Sequence, residues 1–395
     1  MFRKIAILTA VLIVLRGAEA LPSQSTTTTR SKAQISSRSS TTKKRATSVH
    51  RSQTTRSRQV RSRYTGRGAR YRNPWRISSF SDPAAQDDPA GEDPQVREAA
   101  VTALGQWNGS VVVVDPNSGR ILSIVNQKLA LHSAFEPCST FKPVVALGAL
   151  REGLISPETK MRVGRRTTMD LTTALAHSNN FYFAKLGRLL GFDRLAQYAY
   201  LFGFGEKAGW EIPDESPGRF PAVAPKEGGV GNLAYCGTDM GVTALQMAAA
   251  ISAIANGGTL YYLQYPRTPG EIAQFTPKVR RQLDELTQYF GQLKAGLAAA
   301  VLYGTGRMAY SPEEQIYGKT GTCSEDGARL GWFVSYANER QPNYVVVVLL
   351  RGGRLMYGPH AAQIAGQLYR DLRRREQHAT QAQRAGTANS DTLFK

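Results

Sequence analysis

Apolar and polar positions fall into three patterns along this 395-residue chain. Gly109 to Asp115 and Arg120 to Val125 are β-branched runs on either side of Pro116-Asn117-Ser118-Gly119, which predicts a hairpin. Ile316 to Gly321, Gly331 to Tyr336 and Asn343 to Leu350 read as further strands, the last around four consecutive valines, Val345 to Val348. Between the two strand groups the pattern becomes helical. Thr172 to Ala176, Phe181 to Leu190, Phe192 to Phe202, Thr243 to Ala255 and Pro277 to Leu302 are the expected helices. Asn256-Gly257-Gly258 supplies a C-terminal stop for the fourth of these. Gly203 to Gly231 is rich in Gly and Pro and predicts a long loop. One more helix is expected before the hairpin, over Pro94 to Leu104, and a last one from Pro359 to about Arg375. Strands at both ends with helices inserted between them imply one α+β domain, its sheet built from both termini.

The N-terminal quarter follows a third pattern. Arg3 and Lys4 precede the apolar run Ile5 to Leu15, and Ala18-Glu19-Ala20 offers a small-x-small cleavage site, so Met1 to Ala20 reads as an export signal. The run is short for a bilayer span and Arg16 interrupts it; an uncleaved anchor is the alternative. From Leu21 to Ser81 there is no acidic residue, while Lys and Arg recur from Arg30 to Arg76 among Ser and Thr. Such a stretch buries too little apolar surface to offset its ordering entropy, so residues 21–93 are expected to be a disordered basic segment and linker. The formal charge of +20 thus belongs mainly to this segment, not to the folded part. In an exported protein its partner is expected to be an anionic cell-wall polymer or membrane surface rather than nucleic acid. The folded domain is expected over 94–376, with residues 377–395 a frayed tail.

Candidate chemistry centres on Ser139-Thr140-Phe141-Lys142. A serine hydroxyl needs a base to act as a nucleophile, and a lysine at i+3 lies one helical turn away on the same face. Pro143 fits the first turn of a helix, where its missing N–H loses no bond. Ser139 would then sit where free N–H groups favour developing negative charge. The pattern alone is weak, for Ser40-Thr41-Thr42-Lys43 repeats it inside the basic segment. Its weight comes from Ser178-Asn179-Asn180 and Lys319-Thr320-Gly321-Thr322, which follow in order, the last on an expected strand. No G-x-S-x-G elbow supports a Ser-His-Asp hydrolase. Three cysteines, Cys138, Cys236 and Cys323, include no CxxC pair, and the five histidines lack metal spacing; no metal or other cofactor is expected.

With these three motifs, from about Gly109 to Leu368, the sequence resembles the penicillin-binding protein transpeptidase family. The resemblance implies a central antiparallel sheet flanked by helices, with a mainly helical subdomain. It implies that Ser139 forms the acyl-enzyme, that Lys142 takes its proton, and that Ser178 relays a proton to the leaving amine with Lys319 as a second cation. Asn180 would hold the substrate amide and help fix Lys142, and Thr320 and Thr322 would bind the substrate carboxylate beside Gly321. The backbone N–H groups of Ser139 and Thr322 would form the oxyanion hole. The implied substrates are a peptidoglycan stem peptide ending in D-Ala-D-Ala and the β-lactams that mimic it. Neither a glycosyltransferase nor a folded pedestal domain is expected before Gly109.

The chain departs from that pattern at Cys138, where the family usually has glycine or alanine. Cysteines at the positions of Cys138 and Cys323 resemble those of class A β-lactamases that hydrolyse carbapenems, which implies a Cys138–Cys323 disulfide. The entropic model assigns such a long loop roughly 4–5 kcal/mol. Cys236 is left over as a small buried hydrophobe. A β-lactamase is therefore the alternative function, and a non-catalytic β-lactam or peptidoglycan sensor the third. The E-x-x-L-N loop that holds a deacylating water is not found between Gly203 and Val242, where Glu211 and Glu227 are the loose carboxylates. The acyl acceptor, amine or water, depends on the loop around Gly203 to Gly231.

Overall fold

The computed structural model describes residues 74–226, 228–338 and 343–392, with side chains to 378, all within the unit Arg70–Lys395. The export signal, nearly all of the basic segment and Glu227 lie outside the described residues.

The sheet strands are β1 (Gly109–Val114), β2 (Ile121–Val125), β3 (Ile316–Glu325), β4 (Ala328–Ala337) and β5 (Val345–Gly352). Their order is β2-β1-β5-β4-β3, antiparallel throughout, so the N-terminal hairpin joins the C-terminal strands by pairing β1 with β5. Every residue of β1 is buried, which explains a continuous valine run in place of an in–out alternation. Val112 and Val114 face one core, Val111 and Val113 the other. The second core is covered by α1 (Pro94–Leu104) and the final helix, through Ala99, Leu104, Ile364 and Leu368. The first is covered by the helical insertion.

That insertion contains α2 (Lys142–Arg151), α3 (Asn180–Leu201), α4 (Ala244–Ala255) and α5 (Phe290–Leu302); the last helix, α6, spans Gly358–Thr392. Gly191, at φ 76°, breaks α3 where its two halves were expected to meet. Thr243 and Gln246 form a capping box that starts α4, and the Gln246 amide also donates to Glu206 O and Pro217 O at 2.8 Å. That buried side chain ties the 203–218 loop to the core.

Two expectations fail here. The helix predicted from Pro277 is instead a strand, Val279–Gln282, paired with Thr259–Tyr261, then a one-turn helix and α5. Arg280 and Arg281 both bind the Glu206 carboxylate, and this tertiary anchor outweighs local helical preference. At the other end α6 runs past Arg375 to Thr392, through a stretch rich in good helix formers, Gln, Arg and Ala. No helix among the described residues is long and apolar enough to cross a membrane.

Candidate active site

Edge strand β3 and the start of α2 meet at the site. Cys138–Phe141 is a 3-10 turn that runs into α2 at Lys142, with Pro143 in the first helical turn. Ser139 is half-buried in that turn, and its carbonyl accepts the Lys142 N–H. Gly321 lets β3 come close. A Cβ there would stand 3.0 Å from Pro137 O, 3.1 Å from Thr140 Cγ2 and 3.2 Å from Cys138 Cβ. Cys138 and Cys323 are joined by a disulfide, Cα to Cα 5.6 Å, which bolts the turn to the strand. Cys138 has φ 51°, in the left-handed region where glycine is at ease, so a cysteine here adopts a conformation that disfavours side chains.

The Ser178-Asn179-Asn180 segment brings three different tools. Asn179 caps α3, its Oδ1 accepting from Tyr182 N at 2.9 Å. That frees Ser178, at φ 53°, and Asn180 to face the lysine. Lys142 Nζ donates to Ser178 O at 2.7 Å, to Ser178 Oγ at 3.0 Å and to Asn180 Oδ1 at 2.7 Å. An ammonium group has three protons, and all three are taken. Burial nevertheless lowers the Lys142 pKa to about 7. In the neutral amine two protons still serve Ser178 O and Asn180 Oδ1, while the lone pair is open to a hydroxyl proton.

Lys319 is fully buried on β3, its Nζ donating to Thr320 O at 2.9 Å. Burial, then the Lys142 charge, holds its pKa well below the ordinary lysine value. A charge on either lysine therefore disfavours a charge on the other, on top of the cost of desolvating both. Thr320 is also buried, and its hydroxyl shares a hydrogen bond with that of Thr305 at 2.6 Å. Thr322 is exposed; its Oγ1 accepts from Gly358 N at 2.8 Å and still has a proton to donate.

Four participants escaped sequence reasoning. Thr305 and Gly304 lock the Ser178 turn to β3: Thr305 N donates to Ala176 O at 3.0 Å, and a Cβ on Gly304 would fall 2.1 Å from that oxygen. The run Gly304-Thr305-Gly306 ahead of β3 was the available signal. Glu136 and Cys236 carried none. The Glu136 carboxylate, Cys236 Sγ and Cys323 Sγ lie within 4.8 Å of one another. Cys236 is therefore a half-buried neighbour of the site, not an isolated core residue; burial, then the Glu136 charge, raises its thiol pKa to about 11. Glu211 is not part of this group. It lines a groove of about 770 Å³ with Trp210 and Gln264, and Gln264 bridges to Arg120 beside β2, the opposite edge of the sheet.

Comparison with known proteins adds the family. The chain is 32% identical over 286 residues to stage V sporulation protein D of Bacillus subtilis, covering 63% of this chain and 44% of that protein. It is 25% identical over 340 residues to peptidoglycan D,D-transpeptidase MrdA of Acinetobacter baumannii, covering 66% and 50%. The chain thus spans about half the length of the curated relatives it matches. The transpeptidase domain of Burkholderia pseudomallei penicillin-binding protein 3 has the same fold, with TM-score 0.64 at 21% identity over 73% of this chain and 96% of that one. The family model "Penicillin binding protein transpeptidase domain" matches residues 109–370, and the chain belongs to that family.

Proposed function

We propose that the domain over 94–376 is a serine D,D-transpeptidase or D,D-carboxypeptidase acting on peptidoglycan stem peptides. The observation that carries this reading is the buried Lys142 amine, tuned to about 7 and held by Ser178 and Asn180 one turn from Ser139. Ser139 Oγ attacks the carbonyl of the penultimate D-alanine and Lys142 accepts its proton. The tetrahedral oxyanion is met by the N–H groups of Ser139 and Thr322. Ser178 passes the proton from Lys142 to the leaving amine, and the buried Lys319 amine supports this relay from β3. Thr322 binds the terminal carboxylate, with Thr320 setting the strand through Thr305. Asn180 orients the substrate amide. An amine or water then releases the acyl group.

β-Lactams acylate the same serine. One observation favours the β-lactamase alternative, the Cys138–Cys323 disulfide across the site. The position of Glu211 at the far edge of the sheet weighs against it as a deacylating carboxylate. The domain works outside the cytoplasm, exported by Met1 to Ala20, with the basic segment adhering to anionic wall polymer or membrane.

Intact mass after mixing with benzylpenicillin, wild type beside Ser139→Ala, tests the assignment. A stoichiometric adduct that persists for many minutes and is absent in Ser139→Ala is the expected result. A fleeting adduct with penicilloate accumulating indicates a β-lactamase; no adduct leaves the sensor reading.

A further inference from the structure

Three sulfur atoms and one carboxylate converge beside the Ser139 turn, and the chemistry above uses none of them as a reacting group. Cys236 Sγ, Cys323 Sγ and a Glu136 oxygen are mutually within 4.8 Å, and Cys138 Sγ is bonded to Cys323. A tetrahedral cation with sulfur at about 2.3 Å and oxygen at about 2.1 Å holds its ligand atoms roughly 3.5–3.8 Å apart, so Cys236, Cys323 and Glu136 need close by only about an ångström, while Cys138 Sγ, once released, must swing away from Cys323 Sγ by roughly 1.7 Å. Their backbone is already pinned. Trp332 Nε1 donates to Glu136 O at 2.9 Å, and Gly237, at φ 72° directly after Cys236, packs on Pro137.

We propose that, once the disulfide is reduced, Cys138, Cys236, Cys323 and Glu136 together hold one thiophilic divalent cation of the zinc class. Metal and disulfide are then alternative clamps on the turn that carries Ser139. A thiol reductant delivers two electrons to the Sγ–Sγ bond and is itself oxidised to a disulfide, leaving two thiols on the chain. Metal entry then displaces three thiol protons to solvent and forms three metal–sulfur bonds and one metal–oxygen bond. The soft thiolates select zinc or cadmium over calcium and magnesium.

The test is a titration of the full chain with Cd²⁺ under a phosphine reductant, read as the ultraviolet thiolate-to-metal charge-transfer band. Saturation at one equivalent is expected. Cys236→Ser, which keeps the disulfide partners, should show about two-thirds of the amplitude and at least about tenfold weaker binding. Glu136→Gln should keep the amplitude and bind more weakly. Cys138→Ser guards against unfolding on reduction, since it lacks the disulfide without any reductant. It should give about twice the band of Cys138→Ser/Cys236→Ser. A wild-type band no larger than that of Cys236→Ser, or equal bands in the single and double variants, overturns the site. The readout is absorbance and does not depend on whether Ser139 acylates.

Discussion

If Lys142 is the base, acylation by benzylpenicillin must follow its ionisation. With its pKa lowered to about 7 by burial, the neutral amine makes up ~10% of the population at pH 6 and ~90% at pH 8. The second-order acylation rate should therefore rise about tenfold between those values and level off above them. Cys236, near 11, titrates above this range; Lys319, also lowered well below the ordinary lysine value, is separated by Lys319→Arg, which cannot deprotonate and should leave the midpoint near 7. Glu136, raised above its carboxylate value, is the remaining neighbour to exclude, and Glu136→Gln should leave the midpoint near 7. Lys142→Arg keeps the charge and forbids deprotonation, and should slow acylation by ~10²–10⁴. Stopped-flow acylation from pH 5.5 to 8.5 is the assay. A rate that stays within twofold across that range, or falls as pH rises, refutes the lysine-base reading.

The same shift has a stability signature with a definite sign. In the unfolded chain the amine stays protonated to about 10.5, while in the folded chain it gives up its proton near 7. Between those limits the unfolded state binds more protons, so stability rises with pH. Against Lys142→Met, which titrates nowhere, wild type should gain roughly 3–4 kcal/mol between pH 7 and pH 10. The acceptors that methionine would orphan, Ser178 O and Asn180 Oδ1, cost the variant a pH-independent amount that cancels from this difference. Urea midpoints of the two proteins at several pH values measure it, and a constant gap would falsify the lowered pKa.

Other perturbations test how the site is held. Cys323→Ser opens a loop with a sequence separation of 185 residues, and the entropic model gives a loss of about 5 kcal/mol, visible as a lower urea midpoint together with a larger m, because the uncrosslinked unfolded chain exposes more surface. An unchanged midpoint would mean that the turn is held by packing alone. Gly321→Ala places a methyl against Pro137 O, Thr140 and Cys138, and should cost about 1–3 kcal/mol and slow acylation, measured by calorimetry and the mass assay. Wild-type stability and rate would show that the turn yields freely. Gln246→Ala orphans Glu206 O and Pro217 O and should destabilise by about 2–4 kcal/mol in denaturant unfolding. A loss under 1 kcal/mol would remove the amide as the anchor of the 203–218 loop.

What was legible in the sequence was what residue type decides locally. Val111 to Val114 and Val345 to Val348 are β-branched and continuous because both faces of their sheet are covered, and they mark paired neighbours β1 and β5. Thr243 and Gln246 announce the start of α4 by their own hydrogen bonds. The pairing of Cys138 with Cys323 was legible only through the family resemblance, which implied that the motifs they flank meet in the fold. By contrast, Val279–Gln282 became a strand through a carboxylate more than seventy residues away, on Glu206, a contact that no local pattern encodes.

The limit is sharpest at the two lysines. Sequence places both Lys142 and Lys319 at the site but gives them the same charge, since an isolated lysine is a cation at neutral pH. Burial removes that equivalence. Lys142, on the mouth of a helix, keeps three acceptors, from Ser178 and Asn180, and so stays near neutrality, able to hold or release a proton. Lys319, enclosed on β3 with Thr320 O as an acceptor of its amine, is held well below the ordinary lysine value by burial and then by the Lys142 charge. The two lysines thus differ in how completely the fold removes each from water and in the acceptors it brings to each nitrogen, and spacing along the chain carries no record of either. Strand β3, which carries Lys319, is tied to the Ser178 turn through Thr305, by a hydroxyl pair between two threonines that share no motif.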